Sequence, residues 1–352
     1  MTFPLGLNQD WAVKLSLLLL TAALTGMAGA APLDGVKTYL GGKLAVQAAG
    51  TAQLTRAADR YYALAKAAGF DYRKLAKNAQ TRAVLQEARA GWSKASPAYE
   101  EIEGIVAGVD ALSRFDLILD AGTSAAEGGE AVVPFDLKLP NGRVLPKPGN
   151  LFGVNEAALW GTVKAFGSGV PFDVNGNGRI DFGDGLPDAN VLKAAAAELN
   201  RQTLALRRAA GAWTPTRADV FGALAGNVPT VGPVFFENWK TSRFVLGGRS
   251  RRTDFVVISR LSDLGGNVRS WQAMYAGLSP DVRARSAPLD AQIRAGLGDL
   301  AAFVGRLEAQ ERRRRFTPEQ AETLQAEAQN RATAITGRLT QAAALLGVRV
   351  GE

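Results

Sequence analysis

The chain has 352 residues, and its 41 lysine and arginine residues against 33 acidic residues give a net charge of +8. It contains neither histidine nor cysteine. This excludes Ser-His-Asp triads, HExxH zinc sites, zinc–thiolate sites, thiol nucleophiles and disulfide bonds. A bound metal ion would have to be held by oxygen, which favours Ca²⁺, Mg²⁺, Mn²⁺ or iron over copper or zinc.

The first thirty residues have the composition of an export signal. Lys14 precedes an apolar run from Leu15 to Leu24, and Ala28-Gly29-Ala30 has the small residues of a cleavage site. The run is short for a bilayer span, which favours a cleaved signal over a permanent anchor. We therefore expect residues 1–30 to be a signal peptide. The mature chain would then lack a transmembrane segment and work in the periplasm, outside the cell or in the cell envelope.

Most of the remaining sequence is helical in style. Apolar residues recur at three- and four-residue spacings over residues 31–120 and again over 189–352. We predict an all-α fold of two four-helix-bundle halves over these ranges, joined by an insertion over residues 121–188. The predicted helices are 33–49, 51–69, 72–93, 97–120, 155–166, 189–211, 215–225, 234–246, 252–276, 287–311 and 318–346. Thr317 before Pro318 is a strong helix start, as N-cap and first helical residue.

The insertion is rich in glycine and proline and contains a predicted β-hairpin. Its arms are Val132–Leu139 and Arg143–Leu145, and Asn141-Gly142 is expected to supply a turn with positive φ.

A twelve-residue stretch of the insertion, 173–184, has the spacing of an EF-hand calcium loop. Its turn glycine is Gly178, and Ile180 is the apolar eighth position. The last ligand position is an Asp instead of the longer Glu of signalling EF-hands, which favours a structural site. An Asn/Gly-rich turn without an ion is the simpler alternative. The predicted calcium ligands are Asp173, Asn175, Asn177, the backbone carbonyl of Arg179, Asp181 and Asp184.

Two pairs of acidic residues on predicted helices are candidates for a second metal site. Glu100 and Glu103 are three residues apart, and Asp116 and Asp120 are four apart among bulky apolar residues, so each pair shares a helix face. Carboxylates on facing bundle helices can hold a hard metal ion. Either pair taken alone is more often surface charge or a salt bridge.

The second half contains charged residues within apolar, aromatic stretches. Glu237 and Arg243 flank Trp239, while Arg260 and Asp263 follow Asp254 in a predicted helix. These are candidate pocket residues. Buried acid–arginine pairs can also simply join two helices, and we favour that structural role for Arg243 and Arg260.

The run Arg312–Arg315 is the densest cluster of positive charge. A solvated helix end is its simplest interpretation. A contact with an acidic envelope polymer or a membrane surface is the alternative. Export and the absence of interleaved aromatic residues argue against nucleic acid.

Several stretches resemble the imelysin family, which includes the EfeO-type periplasmic iron-uptake proteins. They are ARAGWSKASPAYEEIEGIVAG with FDLILDAG in the first half, and FENWKTSRFV, SRLSDL and RFTPEQAETLQAEAQNRATAITG in the second. The resemblance covers most of residues 35–346 and implies an all-α fold of two four-helix bundles. The family's His-x-x-Glu motif is proposed to bind metal; here Glu103 falls at the Glu position and Glu100 stands where the His should be. An all-carboxylate pair remains suited to ferric iron.

Three functions follow from these patterns. The first is an extracytoplasmic metal-binding protein that assists iron uptake, with a membrane iron permease as partner and a structural calcium ion. The second is a calcium-stabilised structural or adhesive envelope protein that docks on an acidic polymer and has no catalytic or transport activity. A hydrolase using paired carboxylates is the weakest, since helical bundles rarely offer the long cleft that a polymer substrate needs.

Overall fold

A computed structural model describes residues 31–349 and shows an all-α protein with one small sheet. The predicted signal peptide, residues 1–30, lies outside the described residues. Within 31–349, no helix has both the length and the apolar character needed to cross a bilayer. The fold class predicted from the sequence is confirmed.

The first half is built on two long helices, α1 and α3. α1 spans Ala31–Ala67, where two helices were predicted, and α3 spans Thr81–Gly108 and continues through Pro97. The break predicted at Gly50 is wrong because that glycine lies in a helix contact: an added Cβ would lie 2.8 Å from the backbone nitrogen of Ala95 in α3. The glycine at this position therefore serves close packing of two backbones inside one continuous helix.

Short elements follow the two long helices. The predicted helices 72–93 and 97–120 are replaced by α2 (Tyr72–Leu75), α3 and α4 (Asp110–Asp116), with a π-helical turn over Leu117–Ala121. The wider π turn has an i→i+5 hydrogen-bond pattern, a form that is frequent at functional sites.

The insertion contains the predicted hairpin in a shorter form. β1 (Leu137–Lys138) pairs antiparallel with β2 (Val144–Leu145), with Leu137 opposite Leu145. Gly142 has the expected positive φ of 86°, and Asn141 does not share it. Next comes α5 (Leu151–Trp160), capped by the Asn150 side chain and ended by a left-handed glycine, so the predicted helix 155–166 is displaced toward the N-terminus.

The second half begins at α6 (Ala189–Ala212), which packs on α1 and α5. α7 spans Arg217–Asn227, close to its prediction. The predicted helix 234–246 is instead a π turn over Gly232–Phe236, α8 (Glu237–Thr241) and α9 (Arg243–Leu246), because Ser242 is extended and caps the second piece.

Three long helices complete the fold: α10 (Arg260–Arg285), α11 (Ala287–Glu311) and α12 (Pro318–Leu345). The predicted start of α10 at Arg252 is wrong, since residues 252–259 form an irregular segment. The start of α12 is confirmed, with a capping box between Thr317 and Gln320. α10 packs against α1, α3, α7 and α11, so it joins the two halves around a shared apolar core.

Candidate metal centre

The centre lies where α3, α10 and the π turn meet. Gly266 of α10 lets the two helices approach, because an added Cβ there would lie 3.0 Å from the Cβ of Glu100 and 3.2 Å from the backbone nitrogen of Glu101. This contact brings the next residue, Asn267, against the acidic face of α3.

Three predicted iron ligands converge. Carboxylate oxygens of Glu100, Glu103 and Asp120 lie within 4.8 Å of one another. Glu100 and Asp120 are buried, with 3% and 7% exposure, while Glu103 is half-buried. Such spacing lets one metal ion contact all three groups.

Asp116 belongs to the same cluster but is held differently. Its carboxylate accepts a hydrogen bond of 2.7 Å from the hydroxyl of Tyr99. Asp120 lines both a small cavity and a large cleft. An ion that entered the cleft could therefore reach this carboxyl group.

Two further predicted residues join the centre from α10. The Nη1 atom of Arg260 donates to Asp263 at 2.9 Å and lies 3.6 Å from Glu100. The guanidinium carbon lies 4.5 Å from the ring centroid of Phe235 and 4.1 Å from that of Phe255. The Nε atom of Arg260 is buried without a hydrogen-bond partner. The expected structural role for Arg260 therefore coincides with a position inside the site.

The other two candidate pocket residues lie elsewhere. Glu237 is exposed and pairs with Lys240 at 2.8 Å, which lowers the pKa of that carboxyl. The Arg243 guanidinium lies 3.3 Å from the centroid of Phe182 in the calcium-loop segment. The assignment of Glu237 and Arg243 to a pocket with Arg260 and Asp263 has no support from these contacts.

Two residues of the centre were missed from the sequence. The amide nitrogen of Asn267 donates to Glu100 at 3.2 Å and also to Glu103. Glu156 of α5 accepts hydrogen bonds of 3.0 Å from the backbone N–H groups of Val256 and Val257. Glu156 could have been suspected as an acid within the apolar run LFGVNEAALW. Nothing in the sequence marked Asn267 as a site residue except its position one helical turn after Asp263.

Burial and mutual repulsion favour the protonated form of several carboxyl groups of the centre. Burial, followed by the nearby charges of Asp263 and Glu103, raises the pKa of Glu100 well above its usual range. Burial and then Glu103 act likewise on Asp120, whose pKa is also far above normal, and they raise the pKa of Asp116 to about 7. Burial also raises the pKa of Asp263 to about 6 and that of Glu156 to about 8. A multivalent cation could replace those protons.

A cleft of about 690 Å³ leads to the centre. Glu103, Asp120 and Arg260 line it together with Lys147 of the hairpin segment and Arg252 of the irregular segment. A separate cavity of about 20 Å³ lies between Glu100, Asp120, Glu156 and Asp263. That is room for a water molecule or two beside the ligands.

The residues of the predicted calcium loop form a turn on the surface. Asp173 accepts from the backbone nitrogens of Gly176 at 2.7 Å and Gly178 at 3.0 Å, while Asp184 accepts from Val174 at 3.0 Å and from Asp181 at 3.1 Å. Asn175 donates to Asp181 at 3.3 Å, as does Asn177 at 2.9 Å. The backbone nitrogen of Arg179 donates to the side chain of Asn177 at 2.9 Å. These contacts fit an ion-free turn as well as a calcium loop.

Comparison with known proteins identifies the family. Residues 44–339 match the family described as Peptidase_M75, Imelysin. None of the curated proteins compared with the chain matches it significantly. The matched region contains α3, the π turn and α10, and hence every residue of the centre. The resemblance drawn from the short sequence motifs is thus confirmed: this chain belongs to the imelysin family.

Proposed function

We propose that this protein binds a hard metal ion outside the cytoplasm and serves iron uptake without being an enzyme. The observation that carries the proposal is the convergence of Glu100, Glu103 and Asp120 within 4.8 Å. Iron is the cargo of this proposal, and the three carboxylates are its ligands.

The chemistry of the donor set supports a hard cation. Carboxylate oxygens suit iron, Mn²⁺, Mg²⁺ and Ca²⁺, and the chain has no imidazole or thiolate to favour softer metals. Several buried acidic groups surround the cationic side chain of Arg260. Because negative groups are in excess, binding of a cation would reduce the repulsion between them. The resemblance to iron-uptake proteins singles out iron within this set.

The cleft supports exchange of the cargo. Glu103 is half-buried and Asp120 lines the same opening, so an ion can reach the ligands without unfolding of the helices. Transfer to a membrane iron permease is the role that this arrangement suits. Because the chain has no His or Cys, a peptidase of the kinds that need those residues is not part of the proposal.

Metal titration of the exported protein tests the assignment. We expect calorimetry to show one equivalent of Fe²⁺, under anaerobic conditions, or of Mn²⁺ binding to the wild type. Glu103→Gln should weaken binding at least 100-fold, because loss of one charged ligand costs about 3 kcal/mol or more. Glu101→Gln is the matched control, since Glu101 pairs with Lys43 and Arg269 away from the centre.

The outcomes are distinct. No binding to the wild type, or equal binding to wild type and Glu103→Gln, contradicts the proposal. Circular dichroism of both variants would confirm that the fold is retained.

A second proposal concerns the loop 173–184, to which we assign a structural calcium ion. The spacing of its oxygen side chains supports it. The loop is tied to α3 by Arg82, whose Nε donates to the carbonyl of Asp173 at 2.9 Å, and by Gln86, which donates to the carbonyl of Val174 at 2.9 Å. An ion here would fix the insertion on the helix that carries Glu100 and Glu103.

Thermal unfolding with and without a strong chelator tests this second proposal. We expect the chelator to lower the melting temperature and Ca²⁺ to restore it. An unchanged melting temperature contradicts the site. A calcium-stabilised envelope protein without transport activity, the alternative function, would show this calcium effect while failing the iron titration.

A further inference from the structure

The turn between α11 and α12 carries four consecutive arginines, Arg312–Arg315, all exposed. Arg315 approaches the segment after α9, since an added Cβ at Gly247 would lie 2.4 Å from its Nη1 atom. Burial and then the positive charge of Arg315 lower the pKa of Arg243, so the two side chains lie near each other. Arg249 follows in the same segment. We call the six residues Arg243, Arg249 and Arg312–Arg315 the arginine patch.

The positive charge of the patch is largely uncompensated. Arg312 donates to Glu308 at 2.7 Å, and Arg249 lies near Glu319. Within residues 31–349, the remaining members of the patch form no salt bridge. Elsewhere on the surface arginines commonly pair, as Arg217 does with Asp281 and Arg331 with Asp299. An unpaired cluster of this kind attracts polyanions and anionic surfaces.

One exposed apolar side chain lies against the patch, and a second is two residues away from the first along the chain. Phe182, under the guanidinium of Arg243, is 45% exposed, and Ile180 is 58% exposed. Both belong to the loop 173–184. Large apolar residues beside a basic cluster are typical of proteins that bind the interface of a membrane, where the apolar groups enter the headgroup region. A soluble acidic polymer offers nothing to an exposed isoleucine, so the combination favours lipid.

We propose that the arginine patch, with Ile180 and Phe182, docks this protein on the surface of a bilayer that contains anionic phospholipid. The arginines contact phosphate groups, and the two apolar side chains lie at the headgroup boundary. The chain runs from Arg243 through Arg249 to Arg252, which lines the cleft, so docking places the cleft close to the membrane. The proposal requires no metal at the acidic centre.

Vesicle co-sedimentation of the exported protein tests the proposal, with its N-terminus determined by mass spectrometry. The probes are vesicles of phosphatidylcholine alone and of phosphatidylcholine with phosphatidylglycerol. We expect the wild type to bind the second kind and to be released by salt. Arg313→Gln with Arg314→Gln should lower the partition coefficient about 30-fold, since each arginine near an anionic surface is worth about 1 kcal/mol.

A matched control separates the patch from net charge. Arg207 and Arg208 are also adjacent and exposed, on α6. Arg207→Gln with Arg208→Gln removes the same charge and should change partitioning less than about twofold if the patch faces the membrane. Ile180→Ser with Phe182→Ala should weaken vesicle binding and leave its dependence on salt concentration unchanged.

Three results would overturn the proposal. They are equal binding to both kinds of vesicle, equal loss in the two arginine double variants, and binding to alginate but not to vesicles. Glu103→Gln should bind vesicles like the wild type, so failure of the metal site and failure of the docking surface are distinguishable.

Discussion

The acidic centre and the loop 173–184 are both built from carboxylate and amide side chains, yet they lie in opposite environments. At the centre, Glu100, Asp120 and Glu156 are buried, and this burial raises the pKa of each carboxyl group. In the loop, backbone N–H groups donate hydrogen bonds to the carboxylate of Asp173. Desolvation acts to raise the pKa of Asp173. Hydrogen bonds from Gly178 and Gly176 and the charge of Arg82 outweigh that effect, so the pKa of Asp173 is lowered.

The two sites would gain stability from a bound ion in different ways. At the centre, a cation would replace protons and reduce the repulsion between groups that the fold has already brought together. In the loop, an ion would have to draw oxygens away from hydrogen bonds that the turn makes without it. The centre should therefore be selective for ions of high charge, and the loop for an ion that tolerates flexible oxygen ligands.

The largest expected effect comes from removing the buried positive charge of Arg260. Arg260→Met leaves the acids of the centre without their arginine and should lower the free energy of unfolding by about 3 to 5 kcal/mol. Arg82→Met removes an exposed partner of Asp173, with 49% side-chain exposure, and should cost less than about 1 kcal/mol. Urea unfolding of the metal-free proteins measures both. Similar losses in the two variants would remove the contrast between the regions.

A smaller effect is expected from adding, one at a time, the ions proposed for the two sites. Ca²⁺ at about 100 times its dissociation constant should stabilise the wild type by about 2.7 kcal/mol. Asp184→Asn should abolish that gain and leave Mn²⁺ binding intact, while Glu103→Gln should do the reverse. Melting temperatures with each ion give the four combinations. If either variant lost both responses, the sites would not be independent.

The smallest effect concerns pH. Glu156 has a pKa of about 8 in the fold, against 4.5 as its ordinary value. Between these values the folded protein holds a proton that the unfolded chain releases, so this group makes stability fall as pH rises. We expect Glu156→Gln, which keeps the acceptor for Val256 and Val257, to reduce the loss between pH 5 and pH 6.5 in the metal-free protein by about 2 kcal/mol. Urea unfolding at pH 5 and pH 6.5 measures the difference; equal slopes in both proteins would contradict it.

Local patterns predicted the fold better than its connections. Ala287–Glu311 was predicted with its observed ends, and the capping residues around Thr317 marked the next helix correctly. Gly50 was misread as a helix break because glycine in a helix and glycine between helices look alike in sequence. Tertiary packing decides between them.

The centre was predicted in part for the same reason. The spacing of Glu100 with Glu103 and of Asp116 with Asp120 placed each pair on one face, which is local information. Asn267 lies 164 residues from Glu103 along the chain, and no helical periodicity reports such a contact. This contact depends on the close packing of α10 against α3 at Gly266, which only the three-dimensional structure shows.

Gly266 also determines how a change at the centre would travel. With only a hydrogen at this position, α10 touches the backbone of α3 beside Glu100, and no side chain is available there to rotate and absorb a displacement. A shift of Glu100 toward a bound ion would therefore press directly on the backbone of α10. Since α10 extends from Arg260 to Arg285 and packs on α11, occupancy of the site would have a mechanical route to residues well outside the centre.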